Sequence, residues 1–189
     1  MTAETFKLFV TELIKWNKSI NLIQGKTEEE LYKRHILNSL ELKPYLDYEN
    51  DIILDIGSGA GFPAIILAID GAKNVHLVEP TGKKAIFLKH IQKLYNLPIT
   101  VHQKRWQDLN INNPTAVISR AFASLTELLE IINFVSRETN KARGLFLKGE
   151  KIKEEISEAN KKWKFEVEVF QSSTHETGCI AKVWGVYKK

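Results

Sequence analysis

The sequence predicts an α/β fold, in which a mostly parallel sheet carries helices on both faces and ends in an antiparallel hairpin. Three observations predict it. Short apolar runs alternate with helix-spaced stretches along most of the chain, and this strand-then-helix order is typical of parallel sheets. A glycine-rich turn joins the first apolar run to a helix. Residues 165–186 then alternate as two further strands around a polar loop.

The first 50 residues are predicted to form an N-terminal helical cap. Apolar residues recur at helical spacing from Phe6 to Trp16, which favours an amphipathic helix. Thr27-Glu28-Glu29-Glu30 is a capping box that begins a second helix, and Pro44 perturbs or ends it. Residues 51–189 are then left to form one compact core.

Strands and helices alternate in the predicted core, which contains seven strands. Asn96-Leu97-Pro98 stops one helix, and the capping box Ser124-Leu125-Thr126-Glu127 begins the next. The elements are strands at 52–56, 75–79, 99–102, 116–118 and 144–149, helices starting near Pro63, Thr81, Leu125 and Glu150, and a hairpin around the loop 172–178.

The most informative segment is the turn that follows the first strand. Gly57, Gly59 and Gly61 stand at alternate positions, and glycine lets the backbone turn sharply and approach a ligand closely. Asp55 precedes them, and a carboxylate there would repel the anion of a phosphate cradle. The segment therefore favours a ligand that carries an amine or a sulfonium. A tight turn without a ligand is the alternative.

Glu79 follows the next strand and suggests a nucleoside. An acid about 20 residues after a glycine loop can accept hydrogen bonds from ribose hydroxyls, although a surface acid that caps the helix at Thr81 is the alternative. The third glycine comes one residue too early for the dinucleotide fingerprint G-x-G-x-x-G. A NAD-type dehydrogenase is therefore disfavoured.

Further polar or aromatic residues follow later strands, and we expect them to converge with Gly57 and Glu79, because ligands of such sheets bind at the carboxyl ends of the strands. Trp106 and Gln107 suit an adenine ring, although Trp106 could equally belong to the core. Arg120 suits a carboxylate or a phosphate, or is an exposed loop residue. Further candidates, each with burial or simple capping as its alternative, are Phe122 for base stacking and Asn17, Asn21, Arg34 and His35 for the substrate mouth.

Composition narrows the function classes. The net charge is +4, and the excess lies after residue 50, in lysines and arginines such as Lys83, Lys84, Lys104, Arg105 and Lys148. A polyanionic partner is therefore plausible, and ordinary solvated lysines are the alternative. The one cysteine, Cys179, excludes an internal disulfide, and the histidines lack metal-ligand spacing. No secretory or membrane-spanning segment is evident. We expect a monomeric cytoplasmic protein without a metal.

Several blocks together resemble a known family. The glycine pattern is similar to the S-adenosylmethionine (SAM) site of Rossmann-like methyltransferases. Arg34-His35-Ile36-Leu37, Phe62-Pro63, Ser119-Arg120-Ala121-Phe122-Ala123-Ser124 and Leu147-Lys148-Gly149 follow in the order seen in the glucose-inhibited division protein B family, the small-subunit rRNA methyltransferase G enzymes. The likeness covers roughly residues 10–150.

The resemblance implies a Rossmann-like SAM-dependent methyltransferase fold and methylation of a guanine N7 in bacterial 16S rRNA. It implies SAM contacts at Gly57, Phe62, Trp106, Gln107 and Arg120. Two positions depart from the family pattern, in which Asp is common at Asn38 and Glu is usual at Gln107. The alternatives are a methyltransferase for small molecules and an RNA-binding module that retains SAM without turnover.

Overall fold

The computed structural model describes residues 3–24, 27–111, 113–137 and 141–189. Its seven strands form one sheet in the order β3-β2-β1-β4-β5-β7-β6. They are β1 (Ile53–Ile56), β2 (Val75–Val78), β3 (Ile99–His102), β4 (Ala116–Arg120), β5 (Arg143–Lys148), β6 (Trp163–Gln171) and β7 (Cys179–Lys188). The first five pair in parallel, and β7 pairs antiparallel with both β5 and β6. The predicted fold class and the closing hairpin are confirmed.

Seven α-helices surround this sheet in the described residues. They are α1 (Ala3–Ile20), α2 (Glu28–Leu31), α3 (Asn38–Leu40), α4 (Ala64–Asp70), α5 (Gly82–Tyr95), α6 (Leu125–Val135) and α7 (Ile152–Ala159). Short 3₁₀ turns cover Lys43–Tyr45 and Trp106–Asp108. In this part of the chain no helix is both long and apolar enough to cross a membrane.

The second predicted helix is continuous but is not α-helical throughout. Between α2 and α3 the backbone forms a π-helical turn over Tyr32–Leu37, a widened turn that often occurs at functional sites. The capping box at its start is confirmed, since the Glu30 N–H donates to Thr27 Oγ1 and the Thr27 N–H to Glu30 Oε2. The helix predicted over 150–162 is shorter, because only Ile152–Ala159 is helical.

Helices cover both faces of the sheet. Alternate residues of a strand point to opposite faces, so Ile53 packs in a cluster with Phe9 of α1, Ile65 of α4 and Phe87 of α5. Leu54 packs on the other side against α6 and α7. The helices of the first 50 residues therefore share one core with the sheet. The division into a cap and a core at residue 50 stays a prediction.

The order in which strands are added to the sheet reverses between β3 and β4, on either side of β1. Strands β1 to β3 progress towards one edge, and β4 then starts again on the other side of β1. In open α/β sheets this switch point is where ligands bind, at the carboxyl ends of the strands. Gly57 follows β1 directly and Arg120 ends β4, so both lie at this point.

Candidate active site

The glycine loop after β1 has the backbone that its sequence predicts. Gly57, Gly59 and Gly61 have φ angles of +72°, +53° and +91°, a region that favours glycine. The Gly57 N–H donates to the Val78 carbonyl at 3.0 Å, which ties the loop to the end of β2. A Cβ at Gly57 would lie 2.1 Å from Cδ2 of Phe122. No larger residue fits there while that ring is in place.

Asp55 lies beneath this loop and is completely buried. Neither of its carboxylate oxygens has a hydrogen-bond partner in the described residues. Burial raises its pKa to about 8, the Glu79 carboxylate adds to this, and the Arg120 guanidinium opposes it. A buried polar group without a partner is costly, so this carboxylate is placed to receive a cation or a donor from a ligand.

Glu79 follows β2 and reaches back to the glycine loop. Its Oε2 accepts from the Gly59 N–H at 2.9 Å and its Oε1 from the Thr81 N–H at 2.8 Å. The side chain is buried, so the alternative of a surface acid is wrong, although Glu79 does bond to the backbone at the start of α5. Each carboxylate oxygen has a further lone pair for a ligand.

A cavity of about 180 Å³ opens between the ends of β1 and β2. We call it the strand-end cavity. Trp106 and Gln107 lie on one side of it, and Gly57 and Phe122 on the other. Trp106 is half-buried and packs edge-on against Phe134 at 5.5 Å. A contact between this ring and adenine stays a prediction. The cavity is lined by Ile56, Gly57, Val78, Pro80, Arg105, Trp106, Gln107 and Phe122.

Arg120 ends β4 and turns towards the N-terminal helices. Its Nη1 lies 2.6 Å from His35 Nδ1 and its guanidinium lies 4.9 Å from the centre of the Phe62 ring. His35 stacks on the same ring with centroids 4.8 Å apart. The alternative of an exposed loop arginine is wrong, because Arg120 is half-buried and contacts His35 and Phe62. Burial lowers its pKa to about 10. At neutral pH it is nonetheless a cation.

His35 is a neutral partner for this arginine. Burial, and then the charges of Arg120 and Arg34, lower its pKa to about 4. Since arginine can only donate, Nδ1 accepts and the ring proton lies on Nε2. Nε2 has no hydrogen-bond partner in the described residues. His35 therefore holds Arg120 and leaves one donor unused.

A larger cleft of about 810 Å³ lies beside Arg120, and we call it the Arg120 cleft. Phe122 lines both this cleft and the strand-end cavity. Because Gly57, Trp106, Glu79 and Arg120 all border these two spaces or the loop between them, the predicted convergence is confirmed. The cleft also contains Gln24, Arg34, His35, Asn38, Lys148, Glu155 and His175.

A buried ion pair between Lys148 and Glu155 holds the loop that carries Phe122 in place. Lys148 Nζ donates to the Ala123 carbonyl and to Glu155 Oε2, both at 2.7 Å. The same Glu155 oxygen accepts from the Leu125 N–H at 2.6 Å. Sequence reasoning placed Lys148 among the basic residues and in the Leu147-Lys148-Gly149 block of the family resemblance, but it assigned Lys148 no role in the site. The available signal was that Lys148 ends a buried strand, β5, just as Arg120 ends β4.

Other candidates have structural positions. Asn17 caps the end of α1, since its Oδ1 accepts from the N–H groups of Leu22 and Ile23, as its capping alternative predicts. Asn21 has a positive φ of 49° in the same turn. Asn38 lines the Arg120 cleft and donates to Glu41 Oε2 at 3.0 Å. Among the described residues no three metal-ligating side chains cluster.

Comparisons with known proteins agree with this geometry. The profile of the GidB family, rRNA small subunit methyltransferase G, matches residues 2–180. Ribosomal RNA small subunit methyltransferase G of Rhodospirillum rubrum is 36% identical over 188 residues, which cover 99% of this chain and 92% of that protein. The Rickettsia felis protein of the same name is 37% identical over 98% of this chain and 94% of its own length.

Solved structures share the fold. A variant of MtNAS in complex with S-adenosylmethionine matches 95% of this chain and 72% of that chain, with a TM-score of 0.64 and 13% identity. Pyrococcus abyssi tRNA (uracil-54, C5)-methyltransferase in complex with S-adenosyl-L-homocysteine matches 77% of this chain and 36% of that chain, with a TM-score of 0.55 and 13% identity. At such identity the likeness shows the fold alone.

The full-length sequence matches decide the family. They confirm the resemblance carried by the Arg34-His35 and Ser119–Ser124 blocks and the enzyme class that it implies, a methyltransferase of small-subunit rRNA. The chain belongs to the GidB family, rRNA small subunit methyltransferase G.

Proposed function

We propose that this protein transfers the methyl group of SAM to N7 of a guanine in 16S rRNA. The observation that carries the proposal is a glycine loop bounded by two buried carboxylates, Asp55 and Glu79, in a chain of an rRNA methyltransferase family. The Glu79 carboxylate would repel a phosphate ligand, and a buried Asp55 gains nothing from a nearby anion. A nucleoside with a cationic sulfur is attracted by Glu79 and stabilises the ionised form of Asp55.

The residues present fit SAM. Glu79 has lone pairs for two ribose hydroxyls, and the unpartnered Asp55 carboxylate suits the amine or the sulfonium. Trp106 and Gln107 offer a ring and an amide for adenine in the strand-end cavity. At Gln107 the amide can still accept from the adenine amino group, but it lacks the charge of the family's usual Glu. When bound, SAM supplies an electrophilic methyl group.

The chemistry requires no general base from the chain. Guanine N7 carries a free lone pair and can attack a methyl group without losing a proton. His35 lines the Arg120 cleft, but its Nδ1 is occupied by Arg120 and its pKa is lowered to about 4. An imidazole of that pKa is a poor base at neutral pH. The site therefore suits N7 better than a group that must first be deprotonated.

Catalysis then depends on orientation. Aligning two reactants in a dry site can supply about 7–11 kcal/mol of barrier reduction. Arg120 is the group that we assign to this task, since its buried cation can bind the methionine carboxylate or an RNA phosphate bidentately. Phe122, which lines both spaces, can stack on an extruded base, as aromatic side chains do in RNA readers. The carboxylates of Asp55 and Glu79 would ease the positive charge that develops on the ring.

The partner in this proposal is 16S rRNA, either naked or assembled into small subunits. We further propose that the protein acts as a monomer in the cytoplasm and without a metal. The positive net charge of +4 supports a polyanionic partner. The cleft of about 810 Å³ beside Arg120 also supports a macromolecular substrate over a small molecule.

Incubation of the purified protein with labelled SAM tests the proposal. We expect label in naked rRNA or in small subunits and none in a panel of small-molecule acceptors. Calorimetry in parallel measures SAM binding. Binding without transfer to any RNA would favour the non-catalytic module, and transfer only to a small molecule would overturn the RNA assignment.

A further inference from the structure

A second depression of about 730 Å³ adjoins the Arg120 cleft. The two spaces share Gln24, Arg34 and His175 in their linings, so they form one continuous channel. The new part lies between the second helix and the β6–β7 loop, with Lys33 on one side and Thr174 on the other. We call this part the cap–hairpin groove.

The walls of the cap–hairpin groove are held together by a dense set of hydrogen bonds. Glu41, just after α3, accepts at Oε1 from the Ser173 N–H at 2.5 Å and the Thr174 N–H at 3.0 Å, and at Oε2 from Ser172 Oγ at 2.7 Å. Asn38 adds a bond to Thr174 Oγ1 at 3.2 Å. These contacts join residues more than 130 positions apart. They fix the loop that carries His175 against the helical segment that carries Arg34.

The charge of the groove favours a polyanion. Lys33, Arg34 and His175 are all exposed at its surface. The field of Arg34 reaches into the site, since it lowers the pKa values of both His35 and Arg120. Two acids lie nearby. The exposed Glu30 also lines the groove and accepts from the Thr27 N–H, and Glu41 is enclosed by donors. The two cations Lys33 and Arg34 therefore outnumber the one exposed acid in the described lining of the groove.

We propose that the cap–hairpin groove binds the single-stranded RNA that flanks the methylated guanine, with its phosphates on Lys33 and Arg34 and with His175 on the opposite wall. This inference rests on the proposed function, and it says where on the protein the substrate strand lies. The groove is continuous with the space beside Arg120, so one strand can occupy both. Unpaired strands, whose bases can be splayed and stacked, are the form of RNA that proteins usually read.

A double substitution tests the groove. In Lys33→Ala/Arg34→Ala, the affinity for a short unpaired RNA and for 16S rRNA should fall roughly ten- to thirtyfold at about 0.1 M salt, and the slope of log K against log salt should become shallower by about 1.4, or about 0.7 per lost phosphate contact. SAM affinity, measured by calorimetry, should change much less than RNA affinity. The matched control is Lys164→Ala/Lys188→Ala, which removes the same charge from exposed positions at the far end of the hairpin.

The possible outcomes distinguish failure of the groove proposal from failure of the proposed function. Loss of RNA affinity in the groove variant alone supports the groove, even if the wild-type protein transfers no methyl group and the proposed function fails. Equal losses in both variants mean that only net charge matters, and they overturn the groove. Unchanged RNA affinity in the groove variant of an active enzyme also overturns it. Glu41→Gln supplies a second test, since a loosened loop should weaken RNA binding several-fold without changing the salt slope.

Discussion

Asp55 stands out among single residues because its burial disfavours the ionised form of its carboxyl group. The pKa of its carboxyl rises from an ordinary 3.8 to about 8, so most of these groups carry a proton at pH 7 in the free protein. A cationic ligand stabilises the ionised form and must expel that proton. The affinity of such a ligand therefore depends on pH in a direction that can be worked out.

We expect SAM affinity to rise as the pH is raised towards about 8, because ionised Asp55 then becomes more abundant. The stability of the free protein should change in the opposite sense, since a raised pKa means that the native state binds the proton more tightly than the unfolded state. The contribution of Asp55 to the free energy of unfolding is full below about pH 4 and is lost as the pH rises to about 8. His35, whose pKa is lowered from 6.5 to about 4, has the opposite effect between about pH 4 and 6.5, so the loss of stability that Asp55 causes should be clearest between about pH 6.5 and 8.

Calorimetric titrations at several pH values, together with denaturant unfolding, check both effects. Asp55→Asn is the comparison, and the difference between it and the wild type isolates this carboxyl from other titrating groups. The variant should bind SAM weakly at every pH. A wild-type affinity that is flat between pH 6.5 and 8 would contradict the assignment of Asp55 to a cationic ligand.

Gly57→Ala should abolish SAM binding, because the new Cβ would lie 2.1 Å from the Phe122 ring at a strained φ of +72°. Gly59→Ala is the matched control for strain, since its φ is +53° and its Cβ would meet only the Gly57 carbonyl, at 3.7 Å. Circular dichroism should show both variants folded. If Gly57→Ala bound SAM as tightly as the wild type, the backbone at Gly57 would not be part of the pocket.

Arg120→Ala should abolish methyl transfer while the fold survives. The variant loses the contact with His35 and the stacking on Phe62, and we expect this to cost about 1–3 kcal/mol of stability. Arg120→Lys keeps the charge but loses the bidentate fork, so it should restore little. Turnover near the wild-type level in Arg120→Ala, measured with labelled SAM, would remove this residue from the site.

The residues that sequence reasoning found share one property. Asp55, Glu79 and Arg120 are charged groups within or directly after apolar strands, and the hydrophobic pattern shows that they have no place in a packed core. The roles of Glu41 and Lys148 depend on partners distant in sequence. Glu41, for example, bonds to Ser173, 132 positions away. No local pattern encodes such a contact.

Among the elements, the loop between β4 and α6 connects the two halves of the site. Ala121 has a positive φ of 51°, and Phe122 covers Gly57 from this loop. The Lys148–Glu155 pair bonds to the backbone of Ala123 and Leu125. These contacts fix where Phe122 lies.

Lys148→Met should therefore lower kcat for RNA and leave SAM affinity nearly unchanged. The loss of a largely buried ammonium group should also destabilise the fold by about 2 kcal/mol. Lys182→Met is the control, since it removes a cation from a more exposed pair with Glu168 and should cost less than about 1 kcal/mol. Kinetics and denaturant unfolding of both variants check this. Equal effects of both on kcat would contradict a positioning role for Lys148.

Sequence patterns predicted the buried strands and the helix starts well. The predicted helix starts near Ser124, which has a capping box, and near Thr81 are confirmed by the structure. The π turn at Tyr32–Leu37 was not predicted, because an α-helix and a π turn within it have nearly the same apolar spacing. The residues that flank α7, at 150–151 and 160–162, are polar and exposed, so the charged pattern overestimates the length of the helix.

At the scale of the whole molecule, the N-terminal helices pack against one face of the sheet, and together they form one hydrophobic core. The Arg120 cleft lies where these helices, the β4–α6 loop and the β6–β7 loop meet. The sequence predicted a mostly parallel sheet and its carboxyl edge, since the alternation of strands and helices along the chain and the ends of the strands are visible in local patterns. The shape of the cleft results from contacts across the chain, and it could only be observed in the structure.

The central claim is that this site methylates N7 of one guanine in the 16S rRNA. The most direct test is to incubate the protein with labelled SAM and small-subunit rRNA, both naked and assembled into small subunits, digest the RNA to nucleosides and identify the labelled nucleoside by mass spectrometry. The account predicts that the label is found in 7-methylguanosine alone and that it is lost in Arg120→Ala. Label on an exocyclic amine or on another base, or RNA that carries no label at all, would contradict it.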